Sequence, residues 1–283
     1  MSKIGLVLSG GMAKGAFQIG VLKALNEIIP PDRISCISAS SIGVLSGYAF
    51  LTGKLKQAES SWDSACDCDA KKFILSITKS GFLQDVILNM AGDGDEIVND
   101  FYVSLLNAST WKLTYANLKS VPQEERARYL KASVAMPVCN QAVSINGHNM
   151  YDGAIIDNIP VYPLVSHALD YIICVHFDRQ DYIFENEQLN QKIIPITFPD
   201  TKMISTSVWF NKNSIEHMRR EGYLQAKQKF AYIFENGFSG EAVLERIVCL
   251  NQQQAAQKQF RITGDIIIRN INKVTQKFIK KDT

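Results

Sequence analysis

The order of apolar and polar positions divides the first 51 residues into strand, helix, strand and helix. Ile4–Leu8 is an unbroken apolar run ended by glycines, the pattern of a strand buried on both faces. A helical pattern follows from Lys14 to Ile29, with its polar residues confined to Gln18, Lys23, Asn26 and Glu27. A helix with so narrow a polar face is mostly enclosed by protein. Pro30-Pro31 stops it. Arg33–Ser38 then reads as a second strand and Ile42–Leu51 as a second buried helix. Strand and helix alternating this closely predict parallel βαβ winding.

From Lys54 to Leu118 the pattern is mainly helical and irregular, broken at Gly81 and at Gly92-Asp93-Gly94-Asp95-Glu96. That acidic turn lacks the remaining ligands and the terminal Glu of a calcium loop, and reads instead as the start of a helix over Ile97–Leu106. Tyr129–Ala135 and Ala142–Ile145 read as strands, and the Asn146-Gly147 that follows is a hairpin signal. Tyr171–Phe177 and Ile193–Ile196 are expected to be buried strands. From Met203 onward the chain reads as helical, in segments Ser214–Phe234, Gly240–Gln259 and Ile262–Lys281.

Composition narrows this to a globular α/β protein. Of 283 residues, 46% are hydrophobic and 20% charged, enough for a sizeable core and incompatible with wholesale disorder. A formal net charge of +2 is too weak a bias to point to nucleic acid. Cys36, Cys139 and Cys174 sit in apolar runs, as buried thiols do. Cys66-Asp67-Cys68-Asp69 has no histidine nearby and reads as a loop rather than a metal site. The cysteine pattern suits a reducing compartment. Ile4–Leu8 is too short for a signal-peptide core. The uncharged stretch from Ile34 to Gly53 is long enough to span a membrane, but it holds five serines and changes period midway, so it reads as strand, turn and helix. The expectation is a cytoplasmic protein with no cleavable signal and no transmembrane helix.

Three constellations could carry chemistry. Ser9-Gly10-Gly11-Met12-Ala13-Lys14-Gly15 is a glycine-rich turn from strand to helix, where open backbone N–H groups can face an anion. Its spacing fits neither GxGxxG nor a P-loop, and a plain tight turn is the other reading. Ala39-Ser40-Ser41-Ile42-Gly43 is a nucleophile-elbow pattern with alanine at the first small position. Ala39 and Gly43 satisfy the demand for small residues around Ser41, whereas Ser40 would need Ile42 to be small. A serine-rich helix cap is the alternative. Of the histidines, His167 lies in a helical pattern over Pro163–Leu169, His176 in an apolar strand, His217 on a charged helical face and His148 in a hairpin turn. None stands out as a general base, which points to a carboxylate. Asp152-Gly153 in Met150–Ala154 is either a turn former or a carboxylate held against another backbone.

The three together, with Ala132-Ser133-x-Ala135-x-Pro137, Gly147, Tyr151-Asp152-Gly153-Ala154 and Asn158-x-Pro160-Val161 in order, resemble the patatin-like phospholipase family. The resemblance runs over residues 4–235, since Glu221-Gly222-Tyr223 and Ala226 also look like its closing segment. It implies an α/β fold of three layers, α/β/α, with a mainly parallel central sheet. It places a catalytic domain over 1–235 and a helical C-terminal extension over 236–283. It implies a serine lipid acyl hydrolase of phospholipase A, lysophospholipase or esterase type, with Ser41 as nucleophile, Asp152 as general base and the N–H groups of Gly10, Gly11 and Met12 as an oxyanion hole. Lys14, Gly15, Gly43 and Gly153 would support the site, with Lys14 bracing the loop. No metal or organic cofactor is implied, and the partner is a lipid or fatty-acyl ester. Met12 and Ala39 stand where the family usually has glycine. A weakly active or inactive member that binds lipid or protein is therefore the second reading.

Two appendages remain open on sequence alone. Apolar residues Phe73, Ile74, Ile77, Val86 and Ile87 suit either an acyl-chain lining or ordinary core. Ile267, Ile271, Val274 and Phe278, on a stretch where basic residues outnumber acidic ones, suit a docked terminal helix or a peripheral contact with an anionic bilayer.

Overall fold

Every residue of β1 (Ile4–Leu8) is buried, as its unbroken apolar run requires. β1 pairs in parallel with β2 (Ile34–Ala39) on one side and β7 (Tyr171–His176) on the other. α1 (Gly15–Asn26) links β1 to β2, and α2 (Ile42–Leu51) leads out of β2. In the computed structural model the described residues are 2–65, 86–87, 90–92, 94–137, 140–177, 187–198 and 212–252. The expected elements Ile262–Lys281, the Cys66–Asp69 loop and the apolar residues Phe73, Ile74 and Ile77 lie outside them.

Among the described residues the sheet has eight strands. β3 (Asp100–Asn107) runs parallel to β2, and β8 (Ile193–Thr197) parallel to β7. β4 (Leu113–Asn117), β5 (Val143–Ile145) and β6 (His148–Asp152) are antiparallel additions beside β3. The order is β5-β6-β3-β2-β1-β7-β8, with β4 also on β3. The fold is thus a mixed α/β sheet whose continuous centre, β3 to β8, is parallel.

The register of β3 sets the site. Asp100–Val103 face Cys36–Ala39 of β2, and Leu105–Asn107 face Asp152–Met150 of β6. β4 spans Tyr102–Leu106 and so overlaps both. A strand has two hydrogen-bonding flanks, so β4 takes one while β2 and β6 share the other end to end. β2 runs with β3 and β6 against it, so their C-terminal ends converge opposite Ser104.

Side chains alternate between two cores. Ile4, Leu6 and Leu8 join the main core under α1, α2 and α5 (Lys212–Ile233). Val7, Cys36, Ile172 and Cys174 join a second cluster, closed by Ile159, Val161, Leu164 and Leu169. α1 and α5 touch backbone to backbone. A Cβ on Gly20 would lie 2.0 Å from the Arg219 carbonyl oxygen, and one on Gly222 would lie 2.2 Å from that of Phe17. Val243 and Ile247, in the helical stretch 240–252, are buried in the main core.

Three elements differ from the sequence expectation. Ile97–Leu106 does not form a helix; it leads into and forms most of strand β3, buried on both faces, where periodicity cannot separate strand from helix. Asp95 caps no helix, because its carboxylate accepts from Lys54, from Tyr48 and from the Gly92 N–H. Among the described residues of 54–118 the one long helix is α3 (Leu55–Ala65); much of the stretch expected to be helical, 66–85, lies outside them. Conversely, Tyr129–Ala135 is not a strand. Most of it forms the end of helix α4 (Gln123–Ser133), which begins after Pro122 with Glu124 and Glu125 at its positive pole. The charged first half of α4 concealed the buried stripe of Tyr129, Leu130, Ala132 and Ser133. The helical pattern over Pro163–Leu169 reduces to a single turn, Tyr162–Leu164.

Candidate active site

The turn between β2 and α2 holds Ser41 at φ 51° and ψ −131°, a strained conformation for a residue with a side chain. The elbow is sharp because α2 starts against β1. A Cβ on Gly43 would stand 2.4 Å from the Leu8 carbonyl oxygen, so only glycine fits there. The two serines have separate tasks. Ser40 is fully buried; its hydroxyl shares a hydrogen bond with Ser104 and donates to the Asp157 carbonyl at 2.7 Å. Ser41 is half-buried, with its hydroxyl directed to Asp152.

Asp152 is the last residue of β6 and only 2% exposed. Its N–H donates to the Ala135 carbonyl at 2.8 Å, and its carboxylate accepts the Ala154 N–H at 2.9 Å. The Ser41 hydroxyl and the Ser41 N–H also face that carboxylate and favour its charged form. Burial penalises the charged form more than these donors favour it, so the carboxyl is pushed up from 3.8 to about 7. Gly153 lets the chain leave Asp152 close against β3, since a Cβ there would meet the Ser104 backbone at 2.6 Å.

The glycine loop lies directly beside this pair. A Cβ on Gly10 would be 2.9 Å from the Ser41 Cβ and 2.4 Å from the Asn158 side-chain oxygen. Met12 stands at φ 50°, a left-handed position that would suit glycine. The Gly10 N–H donates to the Asn158 carbonyl at 3.2 Å. That donor is therefore engaged inside the protein, a correction to the three-donor expectation. No hydrogen bond among the described residues uses the N–H of Gly11 or Met12. Lys14 is buried, with its ammonium 5.5 Å from the centre of the Phe177 ring. Gly15 opens α1 against Ile42 and Trp62.

Asn158 holds the loop on both sides of Gly10, accepting its N–H and donating from the side-chain amide to its carbonyl at 3.3 Å. The Asn158-x-Pro160 pattern marked this residue without revealing its task. Tyr115, which donates to the Asp157 carboxylate at 2.5 Å, left no sequence signal. The histidines are elsewhere: His148 and His217 are exposed, His167 bonds the Tyr102 hydroxyl, and His176 is buried in β7. Among the described residues no group of His, Cys, Asp and Glu could hold a metal ion, and no helix is long and apolar enough to cross a membrane.

The family model for patatin-like phospholipase matches residues 6–165. Lysophospholipase NTE1 of Cryptococcus neoformans is 30% identical over 187 residues, 63% of this chain and 11% of that protein. Human patatin-like phospholipase domain-containing protein 6 is 28% identical over 192 residues, again 63% of this chain and 14% of the relative. The chain thus spans little more than a tenth of the length of the curated relatives it matches. VipD of Legionella pneumophila, a solved structure, superposes over 81% of this chain and 66% of its own, with 13% identity and a TM-score of 0.45. With more than half of its length matched by that one model, the chain belongs to the patatin-like phospholipase family.

Proposed function

We propose that the chain hydrolyses carboxylic esters of lipids through an acyl-serine intermediate, with Ser41 as nucleophile and Asp152 as general base. The observation that carries this reading is a buried carboxyl, raised to about 7, facing a serine hydroxyl on a strained elbow. A carboxylate near 3.9 is a weak base for a hydroxyl, and burial narrows that mismatch. Ser41 Oγ attacks the ester carbonyl while its proton passes to Asp152. The carbonyl oxygen gains the negative charge and is met by the N–H groups of Gly11 and Met12, each donor typically worth about 10²–10³ in rate. Collapse breaks the C–O bond, and Asp152 returns the proton to the departing alcohol. Asp152 then takes a proton from water, the hydroxide attacks the acyl-serine, and the fatty acid leaves as Ser41 recovers its proton. The scheme uses only groups of this chain. Phospholipase A, lysophospholipase and simple esterase activity all share these steps.

A weakly active member that binds lipid or protein is the second reading, motivated by Met12 in the left-handed position. A fluorophosphonate probe with peptide mapping separates the two. Labelling of Ser41, and loss of about 10⁴-fold or more in short-ester turnover for Ser41→Ala, are expected of the hydrolase. Asp152→Asn should lose about 10²–10⁴-fold. Absence of labelling in the folded wild-type chain would favour the binding module.

A further inference from the structure

We propose that the sheet edge carrying Ser41 is a docking surface for a zwitterionic lipid bilayer, seated through Trp111, Ile155, Ile156 and Tyr162. The inference rests on the lipid-ester reading for its biological sense, but not for its geometry. β3 runs in the same direction as β1 and β2, so the turn that follows it emerges at the same edge as Ser41 and the glycine loop. Trp111 stands in that turn, 62% exposed and at φ 54°. Neither feature helps folding: the indole forgoes burial, and a bulky residue is unfavourable in the left-handed region. The turn is well fixed all the same, because Asn107 accepts N–H groups from Ser109, Thr110 and Trp111.

The segment from Asp152 to Asn158 crosses the same edge. It leaves β6, passes the end of β2 where Ser40 donates to the Asp157 carbonyl, and reaches Gly10 at the end of β1. Ile155 and Ile156 lie in the middle of this crossing and are 50% and 55% exposed. Tyr115 ties Asp157 to Tyr162: its hydroxyl bonds Asp157 and its ring stacks on Tyr162, 6.2 Å between centres. Tyr162 is 75% exposed. Other exposed apolar side chains, such as Val98, Leu224 and Val248, lie on separate elements.

Charge and position choose the occupant. From Gly153 to Leu169 the one carboxylate is Asp157, already bonded to Tyr115, with no lysine or arginine, and the Trp111 turn adds the single ammonium of Lys112, so the two opposite charges leave no net bias. A surface with almost no net charge suits a zwitterionic headgroup layer, and Trp and Tyr side chains favour the boundary between headgroups and hydrocarbon. A protein seated on this rim would cover the approach to Ser41, whereas a bilayer would present lipid to it.

The test uses the full chain, phosphatidylcholine vesicles and the double variant Trp111→Ser/Ile156→Ser, with thermal unfolding as the check on folding. Wild type should co-sediment with the vesicles to an extent that changes less than about twofold between low and physiological salt. The double variant should lose at least tenfold in partitioning while hydrolysing a water-soluble short-chain ester within twofold of wild type, and Trp111→Phe should retain binding. No wild-type binding, binding only to anionic vesicles with strong salt dependence, equal partitioning of the double variant, or a dimer that these substitutions dissociate would each overturn the proposal. Vesicle binding by a wild type inert towards the soluble ester would leave the docking surface standing and remove the hydrolase reading.

Discussion

Ser41 stands two residues beyond the end of β2, Asp152 is the last residue of β6, and the two strands end facing each other along one flank of β3. Their contact is therefore set by the hydrogen-bond register of the sheet rather than by the reach of two loops. Rigid elements hold groups more closely than loops do, so the proposed catalytic pair is organised before any substrate arrives.

The raised carboxyl sets the pH dependence of the proposed reaction. Asp152 must be ionised to accept the Ser41 proton, so kcat/KM for a soluble ester should rise with pH and level off above an apparent pKa of about 7. Steady-state rates from pH 5 to 9 check this. A plateau already reached at pH 5 would show a base that titrates as an ordinary carboxylate.

The same burial has a thermodynamic signature. The folded state holds the Asp152 proton up to about pH 7, whereas the unfolded chain releases it near 3.8. Between those values the folded state binds more protons, so this group makes stability fall as pH rises and leaves it lowest above 7. Asp152→Asn removes the buried charge. The variant should match wild type near pH 4 and exceed it by a few kcal/mol at pH 8, at one unit of pKa per about 1.4 kcal/mol. Urea unfolding of both proteins at the two pH values measures the difference. A variant less stable than wild type at pH 8 would mean that the hydrogen bonds from Ser41 and Ala154 outweigh the desolvation.

Met12 gives an opposite test, of strain without loss of chemistry. At φ 50° its backbone already lies where glycine would, so its N–H needs no rearrangement to act as a donor. Met12→Gly should stabilise the fold by about 0.5–1 kcal/mol by relieving the left-handed strain, less the extra chain entropy of glycine. Turnover should change by less than about threefold, since a single donor's full worth, 10²–10³, is not at stake. An increase of tenfold or more would show that the side chain itself obstructs the site.

Some of this was legible in the sequence for a definite reason. The elbow could be read because its geometry permits few residues: Gly43 meets the β1 backbone, and the small residues around Ser41 advertise that contact. β3 could not, because burial on both faces erases the alternation that marks a strand. Losing β3 hid the reason that Ser41 and Asp152 meet, which lies in the register of β2 and β6 along one flank of that strand. α4 was missed because its polar first half and apolar second half read as two different segments. The engagement of the Gly10 N–H by Asn158 is a main-chain contact and carries no side-chain code.

The crossing of α1 and α5 was equally silent at Gly20, although Gly222 belonged to a recognised motif. In an isolated helix either glycine replaced by alanine would gain about 1 kcal/mol. Here the added methyl of Gly20→Ala would stand 2.0 Å from the Arg219 carbonyl oxygen, and that of Gly222→Ala 2.2 Å from the Phe17 carbonyl oxygen. Both obstacles are backbone, so no rotamer change relieves them and the helices must separate. Each substitution should cost about 3 kcal/mol or more, overpacking outweighing the gain in propensity. Because α1 begins at Gly15, immediately after the glycine loop, displacement of that helix also moves Met12–Lys14 relative to Ser41. Fluorophosphonate labelling of Gly20→Ala should therefore slow even at temperatures where the variant remains folded by circular dichroism. Unchanged unfolding midpoints in urea for both variants would show that the two helices do not pack as closely as Gly20 and Gly222 require.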